Sequence, residues 1–130
     1  MADLRYEFKN NQKKTLSASV TGVFPTSSTM SDTLFTLPVA SVVTRAYAIV
    51  LTPSGTATDT IDIKVGTTTV ADEVVVGATG IQEGTQTKAY FPTGGAVKAI
   101  AGADAPDGAG RIKIMVEYFE TELASGEYTD

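Results

Sequence analysis

Cysteine and histidine are both absent from this sequence. Without cysteine the chain has no disulfide, no thiolate zinc site and no cysteine nucleophile. Without histidine it lacks the side chain most often used as a general base at neutral pH, and a Ser-His-Asp triad is impossible. Stability must therefore come from an apolar core, from assembly with other subunits, or from both. We expect no enzymatic activity, no metal site and no cofactor.

Long apolar runs are also missing. The longest, from Ala46 to Leu51, has the length of a strand and falls far short of the roughly 20 residues that span a bilayer. Residues 1–14 are polar and charged, unlike the apolar region of a signal peptide. The net charge of −5 disfavours binding to phosphate backbones. We therefore expect a protein made in the cytoplasm, with neither membrane nor nucleic acid as a partner.

The charges that are present lie unevenly along the chain. The segment Met1–Lys14 is rich in cations, whereas the segment from Glu117 to Asp130 contains acidic residues and no Lys or Arg. Ends of opposite sign can pair within one subunit or between subunits, and the alternative is two solvated tails.

Short alternating segments, separated by Gly and Pro, fill most of the chain. Thr, Ala and Val dominate them, and β-branched residues suit a pleated, half-buried surface. The pattern predicts an all-β fold, a jelly-roll-like β-sandwich of about eight short antiparallel strands, with an immunoglobulin-like sandwich as the alternative. We predict an extended N-terminal arm over residues 1–14, a sandwich domain over residues 15–122 and a C-terminal tail over residues 123–130.

Three segments carry most of this prediction. Val42–Leu51 is the most apolar and is predicted to be a central strand buried on both faces. Thr60–Val65 alternates, which predicts one face in the core and one in solvent. After it, Thr68–Ala71 and Val74–Val76 are predicted as strand, with a bulge at the acidic interruption between them.

The two ends of the domain supply the candidate contacts between chains. Leu4, Tyr6 and Phe8 alternate with charged residues in the arm, which is either the first strand of the domain or an arm that pairs with a sheet edge. In the last strand, Arg111–Phe119, the second face carries Met115 and Phe119, which suggests that a partner covers it. We expect Leu4, Tyr6, Phe8, Met115 and Phe119 to contact other chains.

Constellations that would support chemistry are weak. Asp59 and Asp62 flank a strand start, and Glu120 and Glu122 lie two apart, but nothing in the sequence marks a cleft between them. The loop Asp104–Gly108 lacks the alternating ligands and distal Glu of a calcium loop, so a capped turn is the better interpretation. Exposed aromatic residues would suit sugar stacking, but core or interface anchoring is more common.

Three stretches resemble segments of small tailed-phage capsid proteins known as decoration, cement or head-associated proteins. They are Gly55–Thr68 (GTATDTIDIKVGTT), Tyr90–Val97 (YFPTGGAV) and Gly110–Tyr118 (GRIKIMVEY). The resemblance covers roughly residues 40–130 and consists of β-hairpin patterns. It implies a jelly-roll-like module on the outer surface of the virion, clamping neighbouring major capsid subunits as a dimer or trimer, and it carries over no catalytic residue.

The sequence leaves other functions open. A fibre or tail-associated virion protein, or a module that binds host glycans, is the main alternative, followed by a cellular β-sandwich binding module or small enzyme. A glycan binder predicts a groove of exposed aromatic residues beside polar groups, whereas a decoration protein predicts aromatic residues buried between chains.

Overall fold

The computed structural model describes residues 13–25 and 33–121 of the chain. Ten β-strands form the regular structure of these residues, which include no helix able to cross a membrane. The strands are β1 Lys14–Val23, β2 Phe35–Leu37, β3 Ser41–Thr52, β4 Thr60–Val65, β5 Thr68–Val75, β6 Gly80–Gln82, β7 Thr85–Gln86, β8 Ala89–Phe91, β9 Gly95–Ala101 and β10 Ala109–Glu120.

The strands form two five-stranded antiparallel sheets. In the first sheet β10 lies between β1 and β3, and β6 and β8 pair with different parts of the far side of β3. The second sheet has the order β2-β9-β4-β5-β7. The core between the sheets is built from buried side chains of both, so the predicted β-sandwich is confirmed.

The strand pairing is that of a jelly roll. Apart from the short strands β6 and β7, the first strand pairs with the last, the second with the second last, and so on inward: β1 with β10, β2 with β9, β3 with β8 and β4 with β5. This nested pairing is a long hairpin rolled into two sheets. The immunoglobulin-like alternative is wrong, because it would place β1 and β2 in one sheet.

Alternation in β4 and β10 builds the centre of the core. Ile112, Ile114 and Val116 of β10 are fully buried, as are Ile61 and Ile63 of β4. Each such side chain contributes about 1.5–3 kcal/mol when removed from water. The intervening residues of both strands point outward, as predicted for Thr60–Val65 and for the last strand.

The predicted burial of β3 on both faces is wrong. The strand is central, but within residues 13–25 and 33–121 no second layer covers its outer face: Leu51 is 46% exposed, and Tyr47 and Ile49 are half-buried. Its inward residues are small where the sheets approach, with Ala46 and Ala48 fully buried. The larger apolar residues of β3 therefore face outward.

The acidic interruption in β5 is a bulge, as predicted. β5 runs unbroken from Thr68 to Val75, and its register with β4 shifts near Ile63. Glu73 has a positive φ of 56°, and its N–H donates to Asp62 Oδ1 at 2.9 Å. This bond fixes the bulge.

Candidate interaction surface

The outer face of the first sheet carries an apolar surface formed by four strands, the central strands β10 and β3 and the short strands β6 and β8. The register places Met115 beside Tyr47, Ile49 beside Ile81, and Val42 between Phe119 and Tyr90. Partner residues in a ladder point to the same side of a sheet. We call this surface the apolar face; its members are Val42, Tyr47, Ile49, Leu51, Ile81, Tyr90, Met115 and Phe119.

Most of the large apolar side chains that the described residues expose lie on this face. Ile81 is 60% exposed and Tyr90 52%, and with Leu51 they make three of the four large apolar residues that the described part of the chain exposes. The fourth, Val39, lies in the turn that enters β3. Exposed apolar side chains gathered on one face are typical of an interaction site.

The second sheet presents a different outer surface. Its central strands direct Asp62, Lys64 and Lys98 outward, and Lys64 lies directly beside Lys98 in the ladder. The two faces of the sandwich therefore differ in chemistry, and the first sheet is the better candidate for contact with an apolar partner.

Arg45 divides the apolar face into two parts. Its Nε donates to Glu83 Oε1 at 2.8 Å and its Nη1 to Glu117 Oε2 at 3.3 Å. The guanidinium lies 4.0 Å from the centre of the Tyr47 ring, an attractive cation–π arrangement. The hydrogen bond to Glu83 is the main reason that the pKa of Arg45 is raised. These contacts hold Tyr47 in place on an otherwise open surface.

Charge changes sign along the outer face of β10. Arg111 and Lys113 are exposed near its start, Met115 lies at its middle, and Glu117 follows on the same side. Glu117 also forms an ion pair with Lys13 at 3.5 Å. Among the described residues, Arg111 and Lys113 take part in no ion pair. The start of β10 is therefore cationic, and its other end is acidic with local cation partners.

Two of the five residues predicted to contact other chains belong to the apolar face. Met115 and Phe119 lie on it, both partly buried. Leu4, Tyr6 and Phe8 lie outside the described residues, so the predicted arm stays a prediction. The sequence reasoning missed Tyr47, Ile49 and Ile81, although the alternation of small and large residues in Ala46-Tyr47-Ala48-Ile49 was a usable signal.

The carboxylates singled out in the sequence belong to separate hydrogen-bond networks. Asp59 Oδ2 accepts bonds from the Ser54 hydroxyl at 2.6 Å, from Thr56 N–H at 3.1 Å and from Asp107 N–H at 3.3 Å. The bond from Ser54 is the largest cause of the lowered pKa of Asp59. Asp107 also accepts from the Thr56 hydroxyl at 2.6 Å. These bonds tie the loop Asp104–Gly108 to the turn after β3, which is a structural role.

Asp62 belongs to an acidic group at the β5 bulge. Carboxylate oxygens of Asp62, Asp72 and Glu73 lie within 4.8 Å of one another. Burial, more than the neighbouring charges, raises the pKa of Asp62. The Glu73 carboxylate accepts bonds from the Thr60 hydroxyl at 2.7 Å and from Ala103 N–H at 2.8 Å. Protein donors thus occupy much of this group, and its bonds stabilise the bulge.

Comparison with known proteins adds one structural relative. No protein-family model matches the chain, and no curated protein matches it. A chain in the solved structure titled "Cyanophage Pam1 capsid asymmetric unit" is similar to it, with a TM-score of 0.64 and 15% sequence identity. The match covers 92% of this chain and 93% of that chain, so the two have nearly the same length. At this identity the likeness shows a shared fold.

Proposed function

We propose that this protein is a structural component of a phage virion, and that within the virion it is a decoration protein. It binds the outside of the head and clamps neighbouring major capsid subunits. The observation that carries the proposal is the shared fold with a chain of the Pam1 capsid, over nearly the full length of both chains. The resemblance of three hairpin segments to small capsid decoration proteins supports the same function independently.

The apolar face supports a role in assembly. An exposed surface built from Tyr47, Ile49 and Ile81 has the aromatic and aliphatic composition of an interface centre. Of the carboxylates singled out in the sequence, Asp59 and Asp62 accept local hydrogen bonds and Glu120 pairs with Lys14, while Glu122 lies outside the described residues. We therefore propose a binding function without catalysis, in which an oligomer of this protein contacts the shell.

A decoration protein stabilises a shell by mass action. It binds the assembled lattice in preference to free subunits, so its binding energy adds to the stability of the lattice. Two or more linked copies bind with higher effective affinity than one. The expected consequence is a shell that melts at a higher temperature when the protein is bound.

Co-sedimentation tests the proposal. Purified protein is mixed with empty phage heads that lack it, and we expect it to pellet with the heads and to raise their melting temperature. The variant Ile81→Lys places a charge on the apolar face, and we expect it to lose binding. Thr36→Lys is the matched control, since Thr36 is an exposed residue of a three-residue strand in the second sheet. A wild-type protein that ignores heads would overturn the proposal, and a glycan array would then test the carbohydrate-binding alternative.

A further inference from the structure

We infer that the apolar face is covered by a second copy of this chain, packed face to face about a two-fold axis that passes beside Met115. The inference rests on the part of the proposed function that makes the apolar face an interaction surface. It does not require binding to a shell, and the experiment below separates the two.

The charge pattern of β10 points to a second copy. A two-fold axis beside Met115 and perpendicular to the strand brings two β10 strands together in opposite directions. It sets Lys113 of one copy opposite Glu117 of the other, and the reverse pair forms by symmetry. The face is thus complementary to itself in this orientation.

Other orientations lose this complementarity. If the two β10 strands ran in the same direction at the same level, Lys113 would face Lys113 and Glu117 would face Glu117, and like charges in an interface are strongly unfavourable. Glu117 already forms local ion pairs with Lys13 and Arg45, but its carboxylate can still accept a bond from a further cation. A carboxylate offers about four acceptor positions, so the partner's Lys113 joins the existing pairs.

The extent of the face is sufficient for a stable dimer. β10 has 12 residues, and at about 3.3 Å per residue the strand is about 40 Å long. The whole outer surface of the sheet, with β1 included, is four strands wide where β6 or β8 is present, which at about 4.8 Å per strand gives a breadth of about 19 Å. The resulting area of about 750 Å² is close to the roughly 800 Å² that each partner buries in a standard interface.

Charge reversal tests the geometry, with molar mass in solution measured by light scattering and sedimentation in the absence of phage heads. We expect the wild type to be a dimer. In Lys113→Glu every dimer contains two repelling pairs, so we expect dimerisation to weaken by about tenfold or more. Adding Glu117→Lys to the same chain exchanges the signs and should restore the dimer. Lys98→Glu, on the outer face of the second sheet, is the matched control and should stay dimeric.

A crosslink provides a second readout that does not depend on charge. Since the chain has no cysteine, Met115→Cys introduces a single thiol, which the two-fold axis places next to its symmetry mate. Packed sheets lie about 10 Å apart, so a short bis-maleimide should join the two thiols. Lys98→Cys should give no crosslinked dimer. Thermal melting of each variant confirms that it is folded.

Each outcome separates the two proposals. A dimer that Lys113→Glu disrupts and the double variant restores supports the inference, even if the protein ignores phage heads, in which case only the proposed function fails. A wild-type monomer or trimer overturns the inference, and so does a dimer that tolerates Lys113→Glu and gives no crosslink through Met115→Cys. A monomer that still pellets with heads would leave the proposed function standing with the shell as the partner of this face.

Discussion

The side chain of Gln86 takes the place of a strand at the edge of the first sheet. β3 pairs with β8 through Ser41–Val43 and with β6 through Ala48–Val50, which leaves Ala46 between them. Gln86 Oε1 accepts a bond from Ala46 N–H at 2.8 Å, and Gln86 Nε2 donates to Ala46 O at 2.6 Å. The backbone of Gln86 belongs to β7 in the second sheet. This one residue therefore links the two sheets and completes the ladder of β3.

Removing the Gln86 amide should lower the free energy of unfolding. Ala46 is fully buried, and in Gln86→Ala its N–H and C=O both lose their partners. A buried unsatisfied group costs about 1–3 kcal/mol. Because Gln86 is only half-buried, water replaces part of what is lost, and we expect a total of about 2–3 kcal/mol. For a domain of this size that corresponds to a fall in Tm of about 6–15 °C, measured by calorimetry or circular dichroism.

Two further variants test whether loss of the Gln86 amide causes the expected fall in Tm. Gln86→Glu keeps an acceptor for Ala46 N–H but offers no donor to Ala46 O when ionised. At neutral pH this variant should therefore be at least as unstable as Gln86→Ala. In acid, where the carboxyl group is protonated and can donate, its stability should partly recover. Gln82→Ala is the matched control, since the Gln82 amide makes only long, exposed bonds at 3.4 and 3.5 Å; we expect a change within about 0.5 kcal/mol. If Gln86→Ala melts at the same temperature as Gln82→Ala, the reasoning is refuted.

Other predictions concern pH and turns. The pKa of Asp59 is lowered from its ordinary 3.8 in the folded state, so its charge stabilises the fold above that value and the contribution is lost as pH falls through the folded pKa. Asp59→Asn should thus melt below wild type at neutral pH, and the gap should narrow as the pH of the melt falls below 3.8. The pKa of Asp62 is raised instead, so its ionised form destabilises the fold at neutral pH, and this penalty disappears as pH falls below 3.8. Asp62→Asn, which keeps the acceptor for Glu73 N–H, should raise Tm at neutral pH, with the gain vanishing in acid, and a lower Tm at neutral pH would contradict this account. At positive φ, Gly84→Ala would place Cβ 2.4 Å from Asp72 O and should cost about 2 kcal/mol or more in urea unfolding, whereas Gly66→Asn meets no atom within 4 Å and should cost less than about 1 kcal/mol.

Local sequence was sufficient for strands whose burial alternates. In Thr60–Val65 the predicted and observed bounds coincide. One face of this strand contacts the core and the other contacts solvent, so apolar and polar residues alternate along its sequence. Strand order is a different matter. β1 pairs with β10 from Lys14↔Tyr118 onward, and no local pattern specifies a partner so distant in the chain. The jelly roll was therefore predictable only as one of two sandwich topologies.

The candidate surface was predicted where its residues contrasted with their neighbours and missed where they did not. Met115 stands out because its strand neighbours on the same face are charged. Tyr47 and Ile49 lie in a continuous apolar run, which by itself suggested burial on both sides. Ile81 lies between Gly80 and Gly84, and glycines at this spacing favour an irregular connection over a strand. Only the tertiary structure shows that the described part of the chain covers a single face of β3.

The topology itself explains why the last strand defines this surface. In a jelly roll the first and last strands pair, so β10 lies between β1 and β3 at the middle of its sheet. The outward residues of a central strand are flanked by strands on both sides, so Met115 has Ser17 on one side and Tyr47 on the other. The outer face of β10 carries Lys113, Met115 and Glu117 in succession, and this charge gradient lies along the middle of a broad sheet. A second copy in the opposite direction therefore meets Lys113 with Glu117 on either side of Met115. On an edge strand the same sequence would present its gradient to solvent, and the self-complementarity would be lost.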